Sequence, residues 1–166
     1  AWSNTLGDLL GLTLPVEPQR GQIIHLDLPG ADTGDWPIVQ GSFDHYLLTF
    51  RPDRVVVGAT RETGSGYDVR MTAGGVRQVL DQGLGIAPGL ASATIAEIRI
   101  GLRPATPDGY PILGRAAGFA NVYLCTGHGP SGLQLGPFSG AAVAAMIRGA
   151  APAVDLSAFG PERFQG

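Results

Sequence analysis

The chain has 166 residues and a net charge of −3; 44% of its residues are hydrophobic and 15% are charged. This balance is typical of a globular protein and excludes a disordered one, and the lack of like-charge blocks gives a nucleic-acid partner no electrostatic support. The single cysteine, Cys125, excludes an internal disulfide framework and a cysteine-rich zinc site. Its place in an apolar run predicts a buried thiol, and no apolar run approaches the roughly 20 residues of a membrane helix.

The chain opens on AWSNTLGDLLG, which contains no initiator Met and sets Trp2, Leu6, Leu9 and Leu10 at helical spacing. We therefore predict a helix at the start, and we expect the chain to be a piece of a longer protein. We do not expect the opening residues of this sequence to be a signal peptide.

The first predicted strand lies in RGQIIHLDL, residues 20–28, where Ile24, Leu26 and Leu28 alternate with Ile23, His25 and Asp27, so one face is expected to be drier. Pro15 and Pro18 are expected to break the chain before it. A hairpin is predicted next, with strands over 44–50 and 55–60 that are joined by a turn.

A helix is predicted after the hairpin, with Thr72 as its N-cap and with Gly83 and Gly85 closing it. Its apolar stripe consists of Val76, Val79, Leu80 and Leu84.

The third strong strand is predicted over 94–103 and ends before Pro104 and Pro107. Its alternation places Glu97, Arg99 and Arg103 on one face and the apolar Ala96, Ile98, Ile100 and Leu102 on the other. Several strands precede any β-α-β repeat, so the fold class is predicted as α+β, with a mixed, mostly antiparallel sheet packed with helices.

The stretch CTGHGPSGLQLGP matches the dinucleotide fingerprint G-x-G-x-x-G at Gly127, Gly129 and Gly132. A true fingerprint needs a second strand after the helix, and the sequence around Asp155 predicts none. Taken alone, the stretch favours a plain glycine turn. A turn between a strand and a helix still offers unpaired N–H groups and a positive helix end to an electron-rich ligand.

Four segments together favour a ligand-binding role for this turn over a plain glycine turn: PQRGQIIHL, VVVGATRE, GLRPATPDGYPILG and NVYLCTGHGPSGLQLGPFSG. In this order they resemble the C-terminal half of FAD-dependent amino-acid oxidoreductases of the D-amino-acid oxidase superfamily, with glycine oxidase and the D-amino-acid dehydrogenase small subunit as the nearest likenesses. The resemblance assigns residues 1–19 and 104–166 to an FAD-binding domain and 20–103 to a substrate-binding sheet domain.

The resemblance also implies a partner for this chain, the N-terminal FAD-binding part of the same protein, which carries the family's own fingerprint. We therefore expect FAD to be absent from this chain alone or bound weakly. The loop that matches HGPSGLQ lies beside the isoalloxazine ring in the family, where N–H groups and a helix start stabilise negative charge. The cofactor-binding residues that the resemblance implies are Gly127, His128, Gly129, Ser131, Gly132, Leu133 and Gln134.

Arg103 matches the family's arginine for the substrate carboxylate, and Tyr46 lies on a strand that lines the substrate pocket in the family. The structural alternatives are an Arg103–Glu97 ion pair and a half-buried strand tyrosine. Arg99 has two readings as well, a contact with an acidic substrate side chain and a solvated salt bridge. For His128 the structural alternative is a hydrogen bond that orders the loop, and Asp108 is expected in a turn.

The activity implied by the resemblance is the oxidation of an amino acid, a D-amino acid or glycine, to the imino or keto acid, with hydride transfer to FAD. The alternatives are an N-methyl or imino acid dehydrogenase and a non-catalytic domain that binds a carboxylate or a protein partner. No residue is assigned a catalytic proton-transfer role, and no metal is expected, because the pairs His25–Asp27 and Asp44–His45 form no ligand set. We expect a cytoplasmic protein, at the surface of the inner membrane if a quinone accepts the electrons; a homo-oligomer stays open.

Overall fold

The computed structural model describes residues 1–41 and 45–164. The chain forms two compact units: the first contains Ala1–Gln19 and Arg103–Gly166, and the second contains Arg20–Leu102. The domain boundaries predicted from the sequence follow residues 19 and 103. Asp44, the first residue of the predicted strand 44–50, lies outside the described residues.

A five-stranded sheet has the strand order β2-β3-β4-β1-β5. Its strands are β1 (Glu17–Asp27), β2 (Val39–Gln40), β3 (Tyr46–Phe50), β4 (Arg54–Gly58) and β5 (Thr94–Ala105). The pairs β1–β4, β2–β3 and β3–β4 are antiparallel. The predicted α+β class with a mostly antiparallel sheet is confirmed.

Helix α2 (Ala73–Ile86) covers one face of this sheet. The predicted cap is confirmed, because the Thr72 side chain accepts a hydrogen bond from the Gly75 N–H. The buried core under the helix consists of Ile24, Leu26, Leu47, Val55, Val57, Val79 and Leu90.

The prediction that Gly83 and Gly85 end α2 is wrong, because the helix continues to Ile86. A Cβ atom added at Gly83 would lie 2.5 Å from Val57 Cγ1. Gly83 therefore lets the helix approach β4 closely, a packing requirement that resembles a helix stop in the sequence.

The prolines interrupt the strands less than predicted. Pro18 lies inside β1, near its start, and β5 continues through Pro104 to Ala105. A proline is tolerated near a strand end or on an edge strand, where its missing N–H disrupts no central ladder. β5 is an edge strand of the sheet, which explains why its predicted apolar face is only partly buried.

The first unit contains α1 (Ser3–Asp8), an antiparallel ladder of β6 (Ile112–Arg115) and β7 (Tyr123–Thr126), and the long helix α3 (Gly132–Ile147). One buried cluster joins the ladder to α3, and a second joins it to the segment after α1. The two clusters consist of Leu113, Ala142, Val143 and Leu156, and of Leu14, Val16 and Ile112.

Two predictions for the first unit are corrected. Cys125 is exposed, and β7 pairs only with β6 within the described ranges. The opening helix ends at Asp8, so Leu9 and Leu10 lie beyond it. All four apolar side chains of the predicted stripe, those of Trp2, Leu6, Leu9 and Leu10, are exposed.

Candidate flavin and substrate site

The glycine turn connects β7 to α3 in the first unit. Gly127 has φ 77° and Gly129 has φ 53°, backbone conformations that favour glycine. A single 3₁₀ turn, Gly129–Ser131, then leads directly into α3. The turn and the helix start therefore occupy the stretch that the sequence had matched to a dinucleotide fingerprint.

Gly127 brings this turn against the segment that follows Arg103. A Cβ atom at Gly127 would lie 2.6 Å from Thr106 Cγ2 and 3.5 Å from the Ile112 nitrogen. The close approach requires a residue without a side chain. It places the end of β5 next to the turn within the same unit.

His128 is anchored to the helix that follows it. Its Nε2 atom lies 3.0 Å from Ser139 Oγ, which belongs to a side chain that is only 4% exposed. This is the hydrogen bond that the structural alternative predicted. Burial lowers the pKa of His128, which favours the neutral imidazole.

The first turn of α3 offers N–H groups to a ligand. The first N–H groups of any α-helix have no partner within the helix, and the N-cap residue Ser131 makes no side-chain cap. A Cβ atom at Gly129 would have no atom of the described residues within 4 Å, and one at Gly132 would only touch His128. Leu133 is 97% exposed, and Gln134 is exposed as well.

These features fit the flavin of FAD. N–H donors at the positive end of a helix suit an electron-rich ring edge, and glycines let a flat ring approach the backbone. The residues that would hold the ring are those that the resemblance implied, Gly127, His128, Gly129, Ser131, Gly132, Leu133 and Gln134. A bound flavin would supply a hydride acceptor there.

Arg103 is half-buried near the end of β5. Glu97, its partner in the structural alternative, forms an ion pair with Arg99, whose Nη2 atom lies 2.8 Å from Glu97 Oε2. The solvated salt bridge predicted as one reading of Arg99 is therefore present.

The loop after Arg103 is fixed by an ion pair that sequence reasoning missed. Arg163 donates from Nε to Asp108 Oδ2 over 2.7 Å and from Nη2 to the Tyr110 carbonyl over 2.9 Å. Asp108 also accepts from the Tyr110 N–H, which completes the predicted turn. Hydrogen bonds from Arg163 lower the pKa of Asp108 to about 2. The 55-residue separation of Asp108 and Arg163 leaves no local signal in the sequence.

Tyr46 begins β3 in the second unit and is half-buried, with its ring against the backbone of Gly58. The cross-strand pair Tyr46–Gly58 explains the glycine, since a Cβ atom there would lie 2.5 Å from Tyr46 Cζ. Arg103, the other predicted substrate residue, belongs to the first unit.

The VVVGATRE segment serves a buried polar network in the second unit. Arg20, which is 8% exposed, donates to Glu62 Oε2 from Nη2 over 2.7 Å and from Nε over 2.9 Å. Gln22 and Thr60 donate to Glu62 Oε1. Burial raises the pKa of Glu62, but these hydrogen bonds outweigh it and hold the pKa below its usual value. Thr60 and Glu62 therefore belong to the scaffold that ties the segment to β1.

No group of three or more His, Cys, Asp or Glu side chains among the described residues could hold a metal ion. None of the helices in the same part of the chain has both the length and the apolar character needed to cross a membrane.

Residues 1–146 match the model of the FAD dependent oxidoreductase family, and the chain belongs to that family. A relative from Bacillus subtilis (strain 168), the uncharacterized oxidoreductase YurR, is 43% identical over 97% of this chain and 44% of its own length. Glycine oxidase of Pseudomonas putida is 33% identical over 98% of this chain and 43% of its own length.

A solved structure shares the fold as well. Iminodiacetate oxidase from Chelativorans sp. BNC1 superimposes with a TM-score of 0.93 at 51% identity, over 97% of this chain and 44% of that one. The chain thus spans less than half the length of the relatives it matches. The resemblance drawn from the sequence motifs is confirmed at the level of the family.

Proposed function

We propose that this chain provides the flavin-binding loop, residues 127–134, and the substrate-binding sheet of an FAD-dependent enzyme that oxidises amino acids. The observation that carries the proposal is the contact of Thr106 with Gly127 in the first unit. This contact supports the proposal because it brings the segment that follows Arg103 against the glycine turn that leads into α3. Carboxylate recognition and flavin binding are then adjacent functions of one unit.

Within this proposal Arg103 binds the substrate carboxylate. A planar guanidinium matches a carboxylate with two parallel hydrogen bonds, and the pair gains strength where water is excluded. The Asp108–Arg163 ion pair has an indirect, positioning role, because it holds the loop that follows Arg103. Tyr46 stays a prediction from the resemblance as a second substrate contact.

The N–H groups at the start of α3 and the 127–134 turn hold the flavin edge and offset the negative charge that it acquires with the hydride. The amino group of the substrate can react in its neutral form, so orientation and a dry site matter more than a protein base. The 127–134 segment needs no proton-transfer residue for this task.

A second candidate is a substrate with a secondary amine, such as an N-methyl or imino acid. It is favoured by the 51% identity to a protein described as iminodiacetate oxidase. Comparing kcat/KM for glycine, D-alanine, sarcosine and iminodiacetate separates the two candidates. Full flavin loading with no turnover of any of them would favour the non-catalytic carboxylate-binding alternative.

The deciding experiment replaces Arg103 in the flavin-loaded enzyme. Arg103→Ala is expected to cost roughly 2–5 kcal/mol of carboxylate recognition, on the order of 30-fold or more in kcat/KM. Arg103→Lys should recover only part of it, because an ammonium lacks the planar fork.

The control substrate is the matching amine, which has no carboxylate, and its kcat/KM should change little in Arg103→Ala. Equal losses for amino acid and amine would show that Arg103 supports the fold, and the proposed carboxylate site would be wrong.

A further inference from the structure

A buried histidine lies on the sheet face that α2 does not cover. Ile24 and Leu26 pack under α2, so His25, which stands between them in β1, points to the opposite face. Asp27 shares that face and is paired across the strands with Arg54 of β4. The uncovered face therefore carries charged side chains next to His25.

His25 has no hydrogen-bond partner among the described residues, at either Nδ1 or Nε2, although it is only 7% exposed. A neutral imidazole carries one donor and one acceptor. Leaving both unpaired away from water costs free energy, and buried polar groups are normally satisfied. The side chain is thus an unexplained polar group in an otherwise well-bonded sheet.

His25 lines an open cavity of about 460 Å³. The rest of the lining is Arg99 of β5 and residues 50–54, which form the end of β3, the following turn and the start of β4. The cavity is large enough for several non-hydrogen ligand atoms and their water.

The lining is rich in guanidinium groups, since it contains Arg51, Arg54 and Arg99 but a single carboxylate, that of Asp53. Each arginine has one carboxylate partner among the described residues: Asp35 for Arg51, Asp27 for Arg54 and Glu97 for Arg99.

These ion pairs leave donors available. Arg54 reaches Asp27 through Nε, at 2.8 Å, and Arg99 reaches Glu97 through Nη2, also at 2.8 Å. A guanidinium has five N–H donors, so one such contact leaves the remaining ones for a ligand. Oxyanions match this donor geometry with two parallel bonds.

We propose that this cavity binds a compact oxyanion with two negative charges, a small dicarboxylate or a phosphate, between His25, Arg54 and Arg99. The anion accepts hydrogen bonds from both guanidinium groups and from the imidazole N–H. The site uses none of the residues assigned to flavin or to the substrate carboxylate and does not depend on that assignment. His25 pairs with Val56 of β4, and Tyr46 pairs with Gly58, two residues further along β4. Measured along the strand direction, the positions of His25 and Tyr46 on the sheet are therefore about 7 Å apart.

The test follows the imidazole of His25 by NMR in the purified protein. The chain has three histidines, so a His25→Gln variant assigns the signal. Malonate and inorganic phosphate are titrated separately, with sodium chloride at equal ionic strength as the reference. We expect a saturable shift of the His25 signal with at least one dianion and none with chloride.

The pKa of His25 is a second readout. Burial lowers it, Arg99 and Arg54 lower it further, and Glu97 and Asp27 act in the opposite direction. A bound dianion offsets the two guanidinium groups, so the pKa of His25 should rise when the site is filled.

Arg99→Gln is expected to weaken the binding of malonate or phosphate at least tenfold, and Arg99→Lys should weaken it less. The matched control is Arg77→Gln, which removes another exposed arginine with an ion pair, that to Asp81 on α2. This control should bind like the wild type.

A response to malonate alone identifies a dicarboxylate site, and a response to phosphate alone identifies a phosphate site; both support the proposal. Shifts that match those with chloride, or binding that is unchanged in Arg99→Gln, overturn it. None of these outcomes bears on the proposed oxidation of amino acids, which the kinetics of the Arg103 variants test separately.

Discussion

Two glycines of the same turn have different physical roles. Gly127 is required by the fold, because a side chain there would collide with Thr106 and the residue has φ 77°. Gly132 has ordinary helical angles, φ −59° and ψ −35°, and a Cβ atom there would be 3.6 Å from His128 Cβ, a normal contact. The fold therefore does not require glycine at position 132. A ligand that approaches the backbone closely would require it.

Gly132→Ala separates these two demands. In the complete, flavin-loaded enzyme we expect the free energy of unfolding to be unchanged or slightly higher, since alanine favours a helix, while flavin content falls because the methyl group stands where the ring must approach. Gly140→Ala, also in α3 with open space at its Cβ position, is the control and should keep its flavin. Flavin absorbance per protein and a denaturant titration measure both effects; normal flavin content in Gly132→Ala would show that the turn is structural only.

The Asp108–Arg163 ion pair makes part of the stability depend on pH. The folded pKa of Asp108, about 2, lies below its usual value of 3.8. The contribution is therefore fully present above pH 4 and is lost as the pH falls toward 2. About one third of the Asp108 side chain is exposed, so solvent screening reduces the contribution to about 1 kcal/mol.

Asp108→Asn should accordingly lower the free energy of unfolding at pH 7, and its difference from the wild type should shrink as the pH approaches 2. Urea titrations at several pH values measure this difference. Asp81→Asn, which breaks the exposed pair with Arg77, is the control and should show almost no difference at any pH. A pH-independent cost for Asp108→Asn would contradict the ion-pair explanation.

At the scale of elements, the packing of α2 on the sheet depends on the glycines of its last turns. Gly83 is buried against Val57, whereas a Cβ atom at Gly85 would meet no described atom within 4 Å. The two positions share a helix and differ in their contacts.

Gly83→Ala should therefore destabilise the protein by about 1–3 kcal/mol, because the added methyl group forces α2 away from β4 and outweighs the gain in helix propensity. Gly85→Ala should stabilise it by up to about 1 kcal/mol, because only the propensity changes. Thermal unfolding of the two variants measures both signs. Equal effects would show that α2 does not pack on Val57 as described.

At the scale of the whole molecule, α3 is apolar on the sides it buries and on the sides it exposes. Ala142 and Val143 lie in the core of the first unit, while Leu133, Leu135 and Phe138 are exposed. A helix that is apolar all round is typical of a buried environment. We infer that the exposed side of α3 is covered in the complete enzyme by the rest of the FAD-binding domain.

The chain expressed by itself should then hold FAD weakly. It spans 44% of its 43%-identical relative, and no strand follows α3 in the described ranges, so G-x-G-x-x-G here lacks the β-α-β unit that binds a dinucleotide. The ratio of flavin to protein absorbance after purification, and a fluorescence titration with FAD, measure the expected loss. Stoichiometric yellow flavin in this chain would overturn the assignment of tight FAD binding to the N-terminal part of the same protein.

The sequence by itself determined the features that have a local signal. Thr72 predicts the start of α2, and the alternation of residues in β1 predicts one face with Ile24 and Leu26. The motif around Gly127, His128 and Gly129 identifies the family. Helix caps, strand alternation and glycine turns each depend on residues that are neighbours in the sequence. Only the tertiary structure decided what depends on distant partners. Gly83 faces Val57, Asp108 meets Arg163, Cys125 is exposed beside a two-stranded ladder, and His25 is buried without a partner. Burial and pairing of this kind arise when segments far apart in the chain are brought together, and no local pattern records them.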